Sequence, residues 1–234
     1  MPYAVITGAT QGIGKAIADK FLSHGFDIAI CARSTADLDV VTKAWSVQYP
    51  DRKVLAITAN LADKTACLDF AAQLLNNTSS IDALINNAGT YFPGTLADEP
   101  DGQLEQLMNL NLYSAYHITR RLLPCMKKQS SGHIFNMCSV ASHKAYPNGG
   151  AYSITKYAML GFSENLREEL KTSNIKVTSI SPGAVYSRSW EGSGVPESRI
   201  MKATDVADMI WAAYNLSVAA CVETIIVRPQ LGDL

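Results

Sequence analysis

Short apolar runs alternate with longer amphipathic stretches along the chain. The runs Tyr3–Thr7, Asp27–Ala32, Lys53–Thr58, Ala83–Asn86, His133–Cys138, Lys176–Ile180 and Thr224–Val227 are rich in Val, Ile, Leu and Ala. Most are near-continuous in apolar residues and lack strict alternation, the pattern of strands covered on both faces. Between them, Gly14–His24, Leu61–Asn76, Gln103–Lys127, Ala151–Lys171 and Thr204–Leu216 read as helices; Ile13, Ile17, Phe21 and Leu22 show the helical spacing in the first. Strand–helix alternation with right-handed crossovers predicts an α/β fold, a doubly wound parallel sheet of about seven strands with helices on both faces.

No internal repeat, low-complexity tract or long Pro/Gly-rich linker divides the 234 residues, so residues 1–234 are expected to form a single domain. One irregular stretch, Pro182–Ala203, holds Gly183, Gly192, Gly194, Pro196 and Trp190 with weak periodicity. A loop that long inside a compact domain suits a lid or binding loop, placed here at about residues 183–203.

Composition removes several functions. With 47% hydrophobic and 18% charged residues the chain is an ordinary globular protein, and a net charge of −1 gives no footprint for nucleic acid or an anionic membrane. Its longest basic cluster, Lys127-Lys128, reads as a solvated helix end. The N-terminal residues show no signal-like apolar core, and no segment reaches the ~20 apolar residues needed to span a bilayer. Cys31, Cys67, Cys125, Cys138 and Cys221 are scattered and form no Cys-x-x-Cys pair, which fits reduced thiols in a cytoplasmic protein. His24, His117, His133 and His143 share no metal-ligand spacing, so no metal site is expected. His143 alone, between Ser139 and Tyr152, is a candidate for a substrate mouth.

The stretch Thr7-Gly-Ala-Thr-Gln-Gly-Ile-Gly14 leaves the first strand and enters the first helix, the context that gives a glycine motif meaning. A dinucleotide pyrophosphate needs a sharp turn, close backbone approach and a helix N-terminus with free N–H groups. Gly8, Gly12 and Gly14 supply the missing Cβ atoms, with Thr10, Gln11 and Ile13 beside them. The other reading is a plain strand-to-helix turn. At the end of the second strand the chain has Ala32 and Arg33, and no acid until Asp37. A carboxylate there would hydrogen-bond the ribose hydroxyls and repel a 2′-phosphate, whereas a guanidinium can bind that phosphate twice. This favours NADP(H) over NAD(H), unless Arg33 pairs with a surface carboxylate.

Tyr152 and Lys156 are four apart, so a helix places phenol and ammonium on one face. An ammonium beside a phenol favours the phenolate, and the pair can exchange a proton nearer neutral pH. Such a pair is also common on solvated helices. Ser139 follows a buried strand at the expected carboxyl edge of the sheet, where a hydroxyl can donate to a substrate carbonyl. Alternatively it caps a turn, as Asn111 could be a satisfied buried amide.

With the glycine stretch, Asn86-Asn-Ala-Gly89, Asn111, Ser139, Tyr152/Lys156 and Pro182-Gly183 in this order, the chain resembles the short-chain dehydrogenase/reductase family over essentially its full length. The resemblance implies a Rossmann-type fold and a catalytic tetrad of Asn111, Ser139, Tyr152 and Lys156. Tyr152 would be the general acid, Lys156 would also bind the nicotinamide ribose, and Asn111 would hold a water relaying protons to Lys156. It further implies cofactor contacts from Asn87, Ala88 and Gly89 beside the adenosine, and from Pro182, Gly183 and the backbone near Val185 at the nicotinamide. Ser187 stands where the family often has Thr. Asn60-Leu61 stands where the family commonly has an Asp that reaches the adenine, and an amide oxygen can accept the same bond. Gln11 replaces the basic residue frequent in NADP users of the family.

The expected function is therefore NADP(H)-dependent carbonyl reduction, reversible as alcohol oxidation, on a small or acyl-type ketone or an aldehyde, 3-oxoacyl compounds included. A non-catalytic NADP(H)-binding regulator on the same scaffold is the alternative, and a sugar-nucleotide epimerase or dehydratase ranks last. Tyr91, Phe92, Tyr146, Tyr186 and Trp190 lie in loops that could form an apolar substrate wall. The resemblance implies a homo-oligomer, dimer or tetramer, pairing the helices at Gln103–Lys127 and Ala151–Lys171, with Ile154, Tyr157, Met159, Leu160 and Phe162 on more than one side of the second.

Overall fold

A computed structural model describes residues 1–187 and 194–233. Seven parallel strands form one sheet in the order β3-β2-β1-β4-β5-β6-β7. They are β1 Tyr3–Thr7, β2 Asp27–Ala32, β3 Val54–Thr58, β4 Ala83–Asn86, β5 Gly132–Met137, β6 Ile175–Pro182 and β7 Thr224–Val227. The helices are α1 Gly12–Ser23, α2 Thr35–Gln48, α3 Lys64–Asn77, α4 Gln103–Met108, α5 Ser114–Gln129, α6 Gly150–Leu170 and α7 Ala203–Tyr214.

The strands read as continuous apolar runs because their alternating side chains enter two cores. Ala4 and Ile6 of β1 and Ala83 and Ile85 of β4 meet Phe21 of α1, Trp45 of α2 and Ile210 of α7. Val5 and Leu84, one residue out of step, meet Phe70 of α3, Leu122 of α5 and Leu170 of α6. The sheet is thus sandwiched between two helical layers. Every strand pair is parallel and in continuous register, with Ile6 beside both Ile30 and Ile85.

Two helical expectations fail. The stretch read as one helix over Gln103–Lys127 is broken by a π-helical turn at Asn109–Tyr113 between α4 and α5. The extra residue in that turn shifts the hydrogen-bond ladder without interrupting the apolar pattern, so periodicity does not reveal it. In addition, α2 had no predicted counterpart, because only Leu38, Val41 and Trp45 of its 14 residues are buried. Ser34 starts it by accepting a hydrogen bond from Asp37 N at 3.1 Å.

Part of the expected loop is shaped by backbone pairing. Val185 bridges Met201, and a short 3-10 turn at Glu197–Arg199 follows Pro196. The Arg199 guanidinium donates to the carbonyls of Leu231, Gly232 and Asp233, tying this turn to the tail. Gly192 and Trp190 lie outside the described residues.

Candidate active site

The strand order reverses between β1 and β4, the switch point where open α/β sheets collect ligands beyond the strand ends. A cleft of about 890 Å³ lies there, lined from the glycine turn at one end to Tyr152 and Tyr146 at the other.

At the glycine end, Gly8 and Gly12 take left-handed φ angles of 68° and 55°, which let β1 turn sharply into α1. No side chain caps the α1 N-terminus, which lines the cleft through Gly12, Ile13 and Gly14. Gly14 is required by packing: a Cβ there would stand 2.5 Å from Asn87 Nδ2 and closer still to Gly8 O. That amide nitrogen occupies the space to donate to Thr7 O at 2.9 Å and Gly8 O at 3.0 Å. Thr7 Oγ1 in turn accepts from Asn87 N and Ala88 N. Asn87 therefore props the glycine turn open. An uncapped helix start, a turn with glycine at its closest-packed positions and a propped backbone together fit a dinucleotide pyrophosphate.

Thr10, Gln11, Arg33, Leu61, Ala88 and Gly89 also line the cleft. Arg33 is exposed on its rim and makes no ion pair or side-chain hydrogen bond among the described residues. The surface-carboxylate pairing considered for it is not formed among the described residues. Asn60 is absent from the described lining, and its Oδ1 accepts from Ala62 N at 3.3 Å, a local turn contact. The expectation that Asn60 reaches an adenine finds no geometric support, and Leu61 takes the wall instead.

The loop after β6 returns toward the glycine turn. Pro182, Gly183, Val185 and Ser187 line the cleft, and a Cβ built on Gly12 would come 3.9 Å from Ser187 Cβ. Gly183 N donates to Val227 O at 2.8 Å, holding the turn against β7.

At the chemical end, Tyr152 and Lys156 occupy successive turns of α6, and Lys156 Nζ lies 5.6 Å from the Tyr152 ring centroid. Lys156 is buried and donates to Met137 O at 2.8 Å, which anchors the ammonium to the end of β5. Ser139 begins the next turn. Its Oγ accepts from Ala141 N at 3.2 Å while Ser142 Oγ accepts from Ser139 N at 3.2 Å, a reciprocal cap over Val140–Ser142. The capping role does not exclude the expected donor role, because accepting this bond leaves the hydroxyl proton to be given elsewhere.

Asn111 sits fully buried in the π-helical turn. Its Oδ1 accepts from Thr90 N at 2.8 Å, and its Nδ2 donates to Thr90 O at 2.9 Å and Thr155 Oγ1 at 3.1 Å. Both amide protons are engaged, so the side chain is a clamp between the β4 loop and α6. Thr155 Oγ1 passes its own proton to Tyr152 O at 2.8 Å. Thr90, Thr155 and Ser142 went unnoticed in the sequence, the first two because they meet the Asn111 amide, which is distant along the chain. Only Ser142, three residues after Ser139, carried a local capping signal.

Tyr91 stacks edge-on against Tyr152, with centroids 4.8 Å apart at 76°. Tyr146 completes this corner. Partial burial, reinforced by a hydrogen bond with Tyr91, drives its phenol pKa well above the usual tyrosine range. Tyr146 thus stays protonated at neutral pH. His143 is turned away: its Nε2 lies 2.9 Å from Ser181 Oγ, and the wall is made by Lys144, Ala145, Tyr146 and Pro147. Phe92 and Tyr186 are not part of the described lining either. Cys138 is buried against Ala115 and Met159, and that burial pushes its thiol up to about 11. A protonated, enclosed thiol suits packing and not nucleophilic attack.

Among the described residues no helix is long and apolar enough to cross a membrane, and no three His, Cys, Asp or Glu side chains cluster as a metal site.

The short chain dehydrogenase family model matches residues 2–194. A sepiapterin reductase of Chlorobaculum tepidum is 32% identical, the alignment covering 98% of this chain and 97% of that protein. A 3-oxoacyl-[acyl-carrier-protein] reductase of Haemophilus influenzae is 30% identical over 88% of each chain. The crystal structure of a metagenomic short-chain oxidoreductase in complex with NADP superposes with a TM-score of 0.84 at 27% identity, covering 98% of this chain and 97% of that one. With its glycine turn and its Tyr152/Lys156 pair facing one cleft, and a family match spanning most of its length, the chain belongs to the short-chain dehydrogenase/reductase family of oxidoreductases.

Proposed function

We propose that this oxidoreductase is an NADP(H)-dependent carbonyl reductase, reversible as an alcohol dehydrogenase, acting on small or acyl-type ketones and aldehydes. The observation that carries it is the anchored Lys156 ammonium beside the Tyr152 ring, in the same cleft as the glycine turn. Arg33, exposed on the cleft rim with no ion pair among the described residues, supports the phosphorylated cofactor, as does the NADP held by a structural neighbour at 27% identity.

The bound nicotinamide supplies the hydride for reduction, or takes it for oxidation. The rest falls to this chain. Ser139 donates its hydroxyl proton in a hydrogen bond to the substrate carbonyl and fixes its orientation. Tyr152 gives its phenolic proton to that oxygen as negative charge develops, so no free alkoxide forms. Lys156, with one N–H on Met137 O, keeps two donors for a cofactor hydroxyl and for a water that returns the proton. Tyr146 is less suited to the acid–base role, because burial and its hydrogen bond with Tyr91 raise its pKa, whereas Lys156 stands beside Tyr152. Asn111 positions Thr90 and α6; both its amide N–H groups are engaged, so a water it holds must donate to one of its oxygens.

Tyr91 and Tyr146 supply the substrate wall, with Tyr186, Phe92 and Trp190 outside the described lining. The proposed homo-oligomer would pair α5 and α6, where Tyr116, Ile154 and Tyr157 remain exposed, with Tyr113 exposed just before α5. Sedimentation at micromolar concentration should give a species of two or four chains; monomers would remove that part.

The deciding experiment is NADPH oxidation across a panel of ketones, aldehydes and 3-oxoacyl thioesters, with NADH in parallel. Turnover of at least one carbonyl, faster with NADPH, is expected. Tight NADPH binding with a flat panel would favour the regulator on the same scaffold.

A further inference from the structure

Besides the Tyr91–Tyr152 ring contact, hydrogen bonds tie the loop between β4 and α4 to α6 at two places, and only one uses a tetrad side chain. Deep in the site, Asn111 joins Thr90 to Thr155. Nearer the surface, Glu99 Oε2 accepts from Ala151 N at 3.1 Å, at the residue directly before Tyr152, and from Gln103 Nε2 at 2.8 Å. Gly94 N donates to Asn148 O at 3.1 Å in the same place. The fit is close: Gly150 has a φ of 39°, and a Cβ on it would lie 2.6 Å from Gly94 O and 2.8 Å from Glu99 Oε2.

The chemistry of this contact is specific. The first N–H groups of a helix have no partner within it, and an anion is favoured at that end by the aligned peptide dipoles. No side chain of the preceding residue caps α6, since Gly149 stands there. Glu99 therefore supplies from another segment the cap that α6 lacks. What it fixes is the first turn of α6, which begins with Gly150 and carries Tyr152. The same loop presents Tyr91 to the Tyr152 ring.

We propose that Glu99 is a positioning residue for the reaction: its carboxylate latches the β4–α4 loop to the first turn of α6 and so sets Tyr152 against the substrate wall. Asn111 holds the inner end of this loop and Glu99 the outer end. Between them Tyr152 loses the freedom to swing with the helix terminus. Misplacement of a reacting group by about 1 Å costs on the order of 100-fold in rate, so a fraying first turn should be visible in kcat. This inference rests on the carbonyl-reductase reading for its kinetic part and on the fold alone for its structural part.

The test compares wild type with Glu99→Ala, Glu99→Gln and Gly150→Ala. In the cofactor-free protein, amide hydrogen exchange of the peptide spanning residues 150–156 should quicken in Glu99→Ala and Gly150→Ala, while α1 peptides stay unchanged. With the best carbonyl of the panel, Glu99→Ala should lower kcat roughly 10- to 100-fold, with NADPH affinity by fluorescence held within about twofold. Glu99→Gln keeps an oxygen acceptor and should recover most of the rate. The double variant Glu99→Ala/Gly150→Ala should be no slower than the slower single one, since both open the same latch. Unchanged exchange, or faster exchange with wild-type kcat, would overturn the proposal. So would equal loss in Glu99→Gln and Glu99→Ala, or a fall in NADPH affinity matching the fall in kcat. If no carbonyl is reduced by the wild type, the functional reading fails separately and the exchange data alone decide the latch.

Discussion

The glycine end of the cleft is made by one unbroken stretch, Thr7–Gly14, whereas the tyrosine end gathers Thr90, Asn111, Ser139, Tyr152 and Lys156 from separate segments. The first is shaped by sterics and propped at one point by Asn87: Gly14 exists because Asn87 Nδ2 needs its space to reach Thr7 O and Gly8 O, and Gly8 and Gly12 because the chain must turn through positive φ. The second is held by directed hydrogen bonds, from Lys156 to Met137 O, from Asn111 to Thr90 and Thr155, and from Ala151 N to Glu99. A rigid, locally coded phosphate cradle thus faces a reacting end whose geometry is assembled over long sequence distances. The difference predicts that damage at one end should leave the other working.

Tyr152→Phe is the sharpest break. The phenyl ring keeps the edge-on contact with Tyr91 and leaves Lys156 on Met137 O, so only the hydroxyl is lost. Turnover should fall by about 10²–10⁴-fold, the usual worth of a positioned acid, with NADPH binding by fluorescence unchanged. A variant retaining wild-type kcat would remove the acid role from Tyr152.

Arg33→Ala should cut the other way. Losing a charge-assisted pair of hydrogen bonds to a phosphate costs about 1.5–3 kcal/mol, which corresponds to roughly 10- to 150-fold weaker NADPH binding. NADH binding and kcat at saturating cofactor should barely change. Equal losses for both cofactors would mean that Arg33 does not read the 2′-phosphate. Asp37 lines the same wall, so the NADPH preference tests which of the two charges dominates.

The same contrast explains what the sequence could reveal. The sheet was legible because its central strands are buried on both faces, so strand runs such as Ile28–Ile30 and Leu84–Ile85 are apolar without interruption. The glycine turn and the Tyr152/Lys156 pair were legible because each is written at short spacing. The π-helical turn was not, since one extra residue around Asn111 leaves the apolar pattern of α4 and α5 intact. Nor was α2, where Val40 and Val47 are exposed and blur the buried stripe of Leu38, Val41 and Trp45. Glu99 belongs to no sequence motif. Its role depends on Ala151 N, which lies 52 residues further along the chain.

The smallest effect sharpens the comparison by lying outside both ends. His133, at the opposite end of β5 from Ser139, is buried and stacked on Phe135 with centroids 3.9 Å apart. Its Nε2 lies 2.7 Å from Thr178 Oγ1, and Thr178 gives its own proton to Val222 O, so His133 must carry its hydrogen on Nε2. Nδ1 then faces no partner among the described residues. Protonating it would bury a charge and an unanswered N–H, and burial, with Lys176 nearby, lowers the imidazole pKa to about 3. The folded value is depressed, so above about pH 6.5 both folded and unfolded states are neutral and His133 contributes nothing to pH dependence. Below that, the unfolded chain takes up a proton that the folded one refuses, and stability falls by up to about 1.4 kcal/mol per pH unit toward pH 3. His133→Phe keeps the stack and leaves Thr178 donating to Val222 O. Chemical denaturation at pH 7 and pH 5 should therefore show a shallower acid loss in this variant, while its pH profile of kcat stays that of the wild type. An unchanged acid slope would assign the loss to other groups, and a shifted kcat profile would mean that β5 transmits protonation at its start to Ser139 beyond its end.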